Sequence, residues 1–259
     1  MKGVLRAATP PLVVLLVFLA AWEGLVLALD VAPYLLPAPS AIGQALFEHS
    51  GELAKGTALT GLASILGFAS SLLLGALIAF AFSQSRLVQR SFYPYAIFLQ
   101  TVPILAIAPL IVIWVGTGLL SVVLVAVIIS LFPIITSGTT GLTRVDPGQL
   151  ELFAIHNASR WQELVALRLP GSIPYFLAGA KVASGLAVIG AVVGEFFAGS
   201  DEYRGLGTII IVTSGRLETA HLFAAVVAST LLGLALFGAV SLVGDAILKR
   251  WRGRETETE

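Results

Sequence analysis

Hydrophobic residues run through this chain in long stretches, separated by short polar intervals. Six stretches, at 11–29, 57–82, 93–115, 119–139, 175–198 and 222–248, each hold about 20 residues with few charges. At 1.5 Å rise per residue, that length crosses a hydrocarbon core of about 30 Å as a helix. The pattern predicts an all-α integral membrane protein with about six transmembrane helices. Residues 41–53 behave differently. There the apolar positions alternate with polar ones, and Ser40 stands ready to cap a helix too short and too polar to span, which predicts an interfacial segment. The third stretch is broken by Pro103 and Pro109, which membrane helices tolerate where neighbours or water satisfy the freed carbonyls. Gly116–Gly118 predicts a tight turn. Small residues mark contact faces: Gly61, Ser64, Gly67, Ser70 and Gly75 in the second stretch, and the GxxxG pair Gly190 and Gly194 in the fifth, which fits close helix pairing, with a second copy of the chain as one candidate partner.

The longest polar interval inside this apolar chain is 146–170. Asp146 is a good N-cap, and Pro147 suits the first helical position, where a missing N–H costs nothing. Asn157 is placed to close that helix, because Asn enters the left-handed region more readily than most residues. Ser159 then opens a second helix, with Gln162 three residues on to complete a capping box. Pro170 is expected to end it, since proline disfavours helical geometry in the residue before it. The interval reads as two short helices meeting at a sharp bend.

Composition agrees with the pattern. The 259 residues are 57% hydrophobic and 12% charged, with mean hydropathy +0.95, whereas soluble domains carry about 25% charged residues. Net charge is zero, and no basic run interleaves with aromatics, so nothing points to nucleic acid. There are no cysteines, which removes disulfides, thiolate metal sites and Cys nucleophiles. The basic residues set an orientation. With the N-terminus inside, Lys2, Arg6, Arg86, Arg90, Arg144, Arg160, Arg168, Lys249, Arg250, Arg252 and Arg254 fall on the cytoplasmic side, and Lys55, Arg204 and Arg216 on the outer side. Lys181 then snorkels to the cytoplasmic interface. Both termini and the 146–170 interval are cytoplasmic on this reading. The basic start followed by an apolar run has the look of a signal peptide, but its near-spanning length favours a retained first span. Glu23 within it is costly in lipid and must face protein or the outer interface.

The polar interval resembles the coupling loop of permease subunits of bacterial ATP-binding-cassette importers. Their pattern is E-A-A, three residues, G, nine residues, I-x-L-P. Here the positions read Glu151-Leu152-Phe153, then Asn157, then Leu167-Arg168-Leu169-Pro170, with the spacing kept throughout. Leu152, Phe153 and Asn157 depart from the pattern, and Asn is the residue best able to take over the glycine's backbone role. Residues 35–46, 99–121, 132–142 and 194–207 also resemble the branch that carries nitrate, sulfonate, taurine and pyrimidine-type vitamin precursors. The resemblance implies one permease domain over 1–259, with a core at about 57–248 and a coupling loop at 144–170. It implies the type I importer permease fold with cytoplasmic coupling helices, in the cytoplasmic (inner) membrane. Implied partners are cytoplasmic ATPase subunits, an extracytoplasmic substrate-binding protein and a second copy forming a homodimer within the lipid bilayer. By the same resemblance Glu151, Asn157, Ala158, Arg160 and Trp161 form the ATPase contact. Trp161 also reads as a plain membrane-interface aromatic.

No chemistry competes with this reading. There is no GxxxxGK[ST], HExxH or GxSxG, so ATP hydrolysis belongs on a separate chain, and no cofactor is implied. The three histidines, His49, His156 and His221, lie far apart in sequence and in expected depth, and read as polar interface residues rather than metal ligands. For the translocation path, Gln100 and Thr101 beside Pro103, Ser184, and Glu195 are the candidates. Glu195 has a second reading of equal standing, as an acid bonded to the 199–207 connection. A secondary transporter would need no coupling loop and more buried charge; Glu23, Glu195 and Asp245 form no evident relay. A membrane hydrolase would need paired catalytic groups that do not converge. For the solute, the lack of a strongly basic interior argues against tight holding of a bare anion, and 217–237 resembles the vitamin-precursor members more than the sulfonate ones.

Overall fold

The computed structural model describes residues 2–200 and 202–255. Asp201 lies outside the described residues, as do the side chains of Lys2, Arg6, Arg252 and Arg254. The described chain is helical with short connections. Its helices are α1 (Lys2–Ala28), α2 (Pro39–Glu48), α3 (Ser50–Gln84), α4 (Arg86–Thr101), α5 (Ile104–Val115), α6 (Leu119–Thr143), α7 (Pro147–Ile155), α8 (Arg160–Glu163), α9 (Leu169–Ala198), α10 (Leu206–Gly215) and α11 (Thr219–Glu255). Among the described residues, five helical stretches are long and apolar enough to cross a membrane: Thr9–Ala28, Ser50–Gln84, Leu119–Thr143, Arg160–Ala198 and Thr219–Arg250.

The expected third span is the exception. It is not one helix but two, α4 and α5, parted at Val102 and Pro103. The cause is local. Val102 precedes proline and takes extended angles, φ −71° and ψ 125°, as steric conflict with the proline ring requires. Pro103 then starts α5 as its N-cap. Together the two helices still return the chain from one end of the bundle to the other. The α3–α4 junction lies beside Thr143 and Arg168, while Gly118, after α5, donates to the Ala198 carbonyl at the opposite end of α9, 2.8 Å away. The turn between α5 and α6 uses Gly116 at φ +97° and Gly118 at φ +104°, angles that side chains resist.

The core is α6 packed on α9, flanked by α3. Small residues bring the backbones together. A Cβ at Gly190 would sit 2.7 Å from the Ala126 Cα, and one at Gly194 would sit 3.0 Å from the Val122 Cα. The GxxxG pair therefore packs against α6 of its own chain, and does not need a second copy. Gly75 on α3 accepts Ile134 of α6 in the same manner, where a Cβ would meet Cγ2 at 2.7 Å. In lipid, where apolar burial gives little drive, such close backbone packing supplies the association.

Two other elements differ from expectation. The interfacial helix ends at Glu48, and the residues after it already belong to the long α3, with a corner at His49. Ser40 does not cap α2. Ala38 holds the N-cap position with Pro39 following, and Ser40 instead donates through N (3.0 Å) and Oγ (2.7 Å) to the Glu23 carboxylate. Glu23 thus sits at the start of α2, where a helix N-terminus favours an anion. Lys181 also has a fixed partner, Asp245 on α11 at 3.0 Å.

Candidate functional site

The 146–170 interval folds as its spacing predicts up to its last residues. Asp146 Oδ1 accepts from Gly148 N (2.8 Å) and Gln149 N (3.2 Å), with Pro147 opening α7. Asn157 sits at φ +51°. Its N–H donates to Ala154 O, and Ala158 N donates to Phe153 O, each at 3.0 Å, the two bonds of a Schellman stop. Ser159 and Gln162 form a reciprocal capping box. The departure is at Pro170. It does not end the second helix, which passes through a π-helical turn, Leu164–Arg168, into α9. Pro170 falls in the first turn of α9, directly after the π turn whose end bonds Leu169 N–H to Leu164 O. Arg160–Ala198 is therefore one stretch of 39 residues, about 58 Å at helical rise. That exceeds the hydrocarbon core, so its first turns stand clear of it.

This corner presents unpartnered surface. Trp161 is 69% exposed and Ile155 75% exposed. Leu152, Phe153, His156, Ala158, Gln162 and Ala166 line a concavity of about 460 Å³ between the two helices. Glu151, Asn157, Arg160 and Trp161 are exposed around it, and Ala158 is half-buried in its wall. The corner is tied to the bundle from behind: Arg168 bonds Glu163 at 2.6 Å and the Leu142 carbonyl at 3.3 Å.

The four path candidates do not converge. Gln100 is exposed and lines an apolar cavity of about 410 Å³ between α3, α4, α5 and α6, with Phe92, Tyr95, Ile107 and Phe132. Thr101 is exposed on the same helix end and donates to Phe98 O. Ser184 is buried and donates to its own helix, at Lys181 O.

Glu195, only 1% exposed, belongs to a different assembly at the far end of α9. Its carboxylate accepts from Thr60 Oγ1 of α3 (2.9 and 3.0 Å) and from Gly207 N of α10 (2.7 Å). Tyr203 Oη lies 3.4 Å from Oε1 and 3.1 Å from Leu59 O. Thr60 Oγ1 in turn accepts from Leu206 N at 2.8 Å. The acid thus receives the orphan N–H of a helix start and joins three helices. Cβ atoms at Gly205 or Gly207 would collide with it. Burial, and then the neighbouring carboxylate, hold the Tyr203 phenol well above its ordinary pKa, so it remains a neutral donor. Gly207 and Tyr203 lie in the 199–207 connection that the second reading of Glu195 names. Thr60 has no signal in the sequence near Glu195, since it lies 135 residues away.

The histidines also differ from expectation. His49 and His221 are not apart: their rings stack at 3.8 Å and 5°, because the α2–α3 corner folds against the first turn of α11. His156 lies on the 146–170 corner, with Nδ1 2.9 Å from Leu152 O.

Similarity to known proteins follows the same lines. The pattern of the family described as "Binding-protein-dependent transport system inner membrane component" matches residues 71–253. A "Probable ABC transporter permease protein" of Haemophilus influenzae is 33% identical over 88% of this chain and 91% of its own. The "Formylaminopyrimidine transport permease protein" of Halalkalibacterium halodurans is 34% identical over 86% and 88%. The "Riboflavin transport system permease protein" of Chloroflexus aurantiacus is 31% identical over 92% and 88%. Among solved structures, an amino acid ABC transporter chain superposes with TM-score 0.62 at 16% identity, over 80% of this chain and 97% of that one. The MetNI methionine transporter in an inward-facing form gives 0.55 over 77% and 94%; at such identity these show the fold alone. By that family match and those relatives, the chain belongs to the family of binding-protein-dependent inner-membrane permeases of ABC importers.

Proposed function

We propose that two copies of this chain form the membrane path of an importer for a small aromatic heterocycle of the vitamin-precursor kind. An extracytoplasmic binding protein delivers the solute, and separate cytoplasmic ATPase subunits drive the cycle. The observation that carries the coupling half of this reading is the corner of α7 and α8. Its Trp161 and Ile155 stand exposed on a bend locked by three local motifs, and large apolar or aromatic anchors of this kind dominate interface energy. Glu151, Asn157, Ala158, Arg160 and Trp161 form the contact. Closure of the ATPase pair then moves the corner, and α9, continuous with α8 through the π turn, carries that movement into the bundle.

Two observations support the solute class. The riboflavin and formylaminopyrimidine permeases are 31% and 34% identical to this chain, against 28% and 26% for a sulfonate and a taurine permease. The cavity beside Gln100 offers aromatic rings and one amide but no charged side chain, which suits a planar, weakly polar solute. Gln100 and Thr101 serve as the polar wall, Ser184 backs α9, and Glu195 fixes α10 beside the path. Both termini and the coupling corner face the cytoplasm, as the basic residues indicate.

Charge reversal tests the coupling surface. In cells carrying the intact importer, Glu151→Lys and Arg160→Glu are each expected to cut uptake and solute-stimulated ATP hydrolysis by about tenfold or more, as loss of an interface hot spot does, at normal membrane levels of the chain. Unchanged uptake in both variants would sink the assignment.

A further inference from the structure

We propose that His49, Glu52 and His221 form a site for a divalent cation of the zinc class, clamping the α2–α3 corner to the start of α11. One ligand atom from each of these residues lies within 4.8 Å of the other two. A tetrahedral zinc holds imidazole and carboxylate donors about 3.3 Å apart, so side-chain rotation alone closes the set. Two imidazoles and one carboxylate are the donor types such an ion takes, with a fourth position left for water.

Three features distinguish the cluster from a chance gathering of polar residues. His221 is 7% exposed, and its Nε2 is buried with no hydrogen-bond partner, a costly arrangement for a ring nitrogen. That nitrogen faces Glu52 Oε2 at 3.7 Å. On the other edge of the ring, Nδ1 faces Glu218 Oε2 at 3.8 Å. At that distance the carboxylate faces Nδ1 without a hydrogen bond, and a small side-chain rotation brings it into the orienting arrangement found behind metal-bound histidines, with the Nε2 lone pair toward the ion. Finally, His49 and His221 border a cavity of about 660 Å³, together with Glu48 and Glu218, which gives a cation a route in from an acidic mouth.

Arg204 is the opposing charge. Its guanidinium lies 3.1 Å from Glu52 Oε1, leaving Oε2 for the ion. The stacked rings must also splay, since parallel planes 3.8 Å apart do not aim both lone pairs at one point. The bound form therefore differs from this one by rotation of the half-buried His49 out of its stack on His221.

The test uses the full chain, purified in detergent without a polyhistidine tag, stripped with chelator and titrated with zinc chloride by calorimetry. Retained metal is counted by mass spectrometry after gel filtration. The expected result is one zinc per chain with micromolar or tighter affinity. His49→Ala and Glu52→Gln should each weaken binding at least tenfold, and Glu218→Gln about tenfold through loss of orientation. Because replacing the buried His221 risks misfolding, His49→Ala carries the decision. Zinc should raise the melting temperature of the wild-type chain and not that of His49→Ala. Absence of bound zinc, or zinc bound equally by wild type and His49→Ala, overturns the proposal.

Discussion

The 146–170 corner and the Glu195 assembly are built by opposite means. At the corner the bonds that shape the bend are local, Asp146 to Gly148 and Gln149, Ala158 to Phe153, Ser159 to Gln162, and a longer tie, Arg168 to the Leu142 carbonyl, holds it to the bundle. The bend is complete within about 25 residues and leaves its apolar side chains outside. At Glu195 the partners come from α3 and α10, up to 146 residues apart for the Thr60–Leu206 bond, and everything is buried. A locally built element can project into solvent and remain shaped. A buried polar junction needs every donor answered, and so fixes the helices around it. One region is exposed and shaped by its neighbours in sequence; the other is buried and held across the fold.

That contrast makes its own tests. The largest effect is expected from Glu195→Ala. It strips the acceptor from Thr60, Gly207 and Tyr203, and each buried donor left unmet costs about 1–3 kcal/mol. The detergent-solubilised chain should melt well below wild type and give little folded yield. Glu195→Gln, which keeps the shape and one good acceptor, should fall between the two. Wild-type melting of Glu195→Ala would mean the assembly does not hold α10.

Next comes Trp161→Ala, which should reverse the pattern. The side chain is 69% exposed, so melting should not change. Affinity for the ATPase subunits should drop about 30-fold, the equivalent of a hot spot of about 2 kcal/mol. A drop in melting temperature with full ATPase binding would show that Trp161 packs rather than docks. The smallest effect is at Asn157. Alanine at φ +51° should cost about 1 kcal/mol in the left-handed region, and glycine should cost nothing. Amide exchange across 147–163 reads this directly: faster in Asn157→Ala, unchanged in Asn157→Gly.

How much of this was legible follows from the same distinction. The spans, the interfacial helix, both caps and the left-handed Asn157 were readable, because each depends on residues within one or two turns. Pro103 and Pro109 look alike in the sequence as breaks, yet only Pro103 parts the helix, while α5 passes through Pro109. Pro170 is equally ambiguous: it falls in the first turn of α9, after a π turn that no nearby residue announces. The Gly190–Gly194 pair signalled close packing but not with which helix.

The sequence by itself determined a helical membrane protein, the shape of its two-helix corner at 146–170 and the family it belongs to. These rest on hydropathy, capping chemistry and spacing, which act along the chain. Only the tertiary structure decided that Glu195 joins α3 to α10, that Ser40 serves Glu23, and that His49 meets His221. Those pairings depend on which helix faces lie against one another, and that is set by close approach of small residues, at Gly75 to Ile134 and Gly190 to Ala126, across intervals that no local pattern spans.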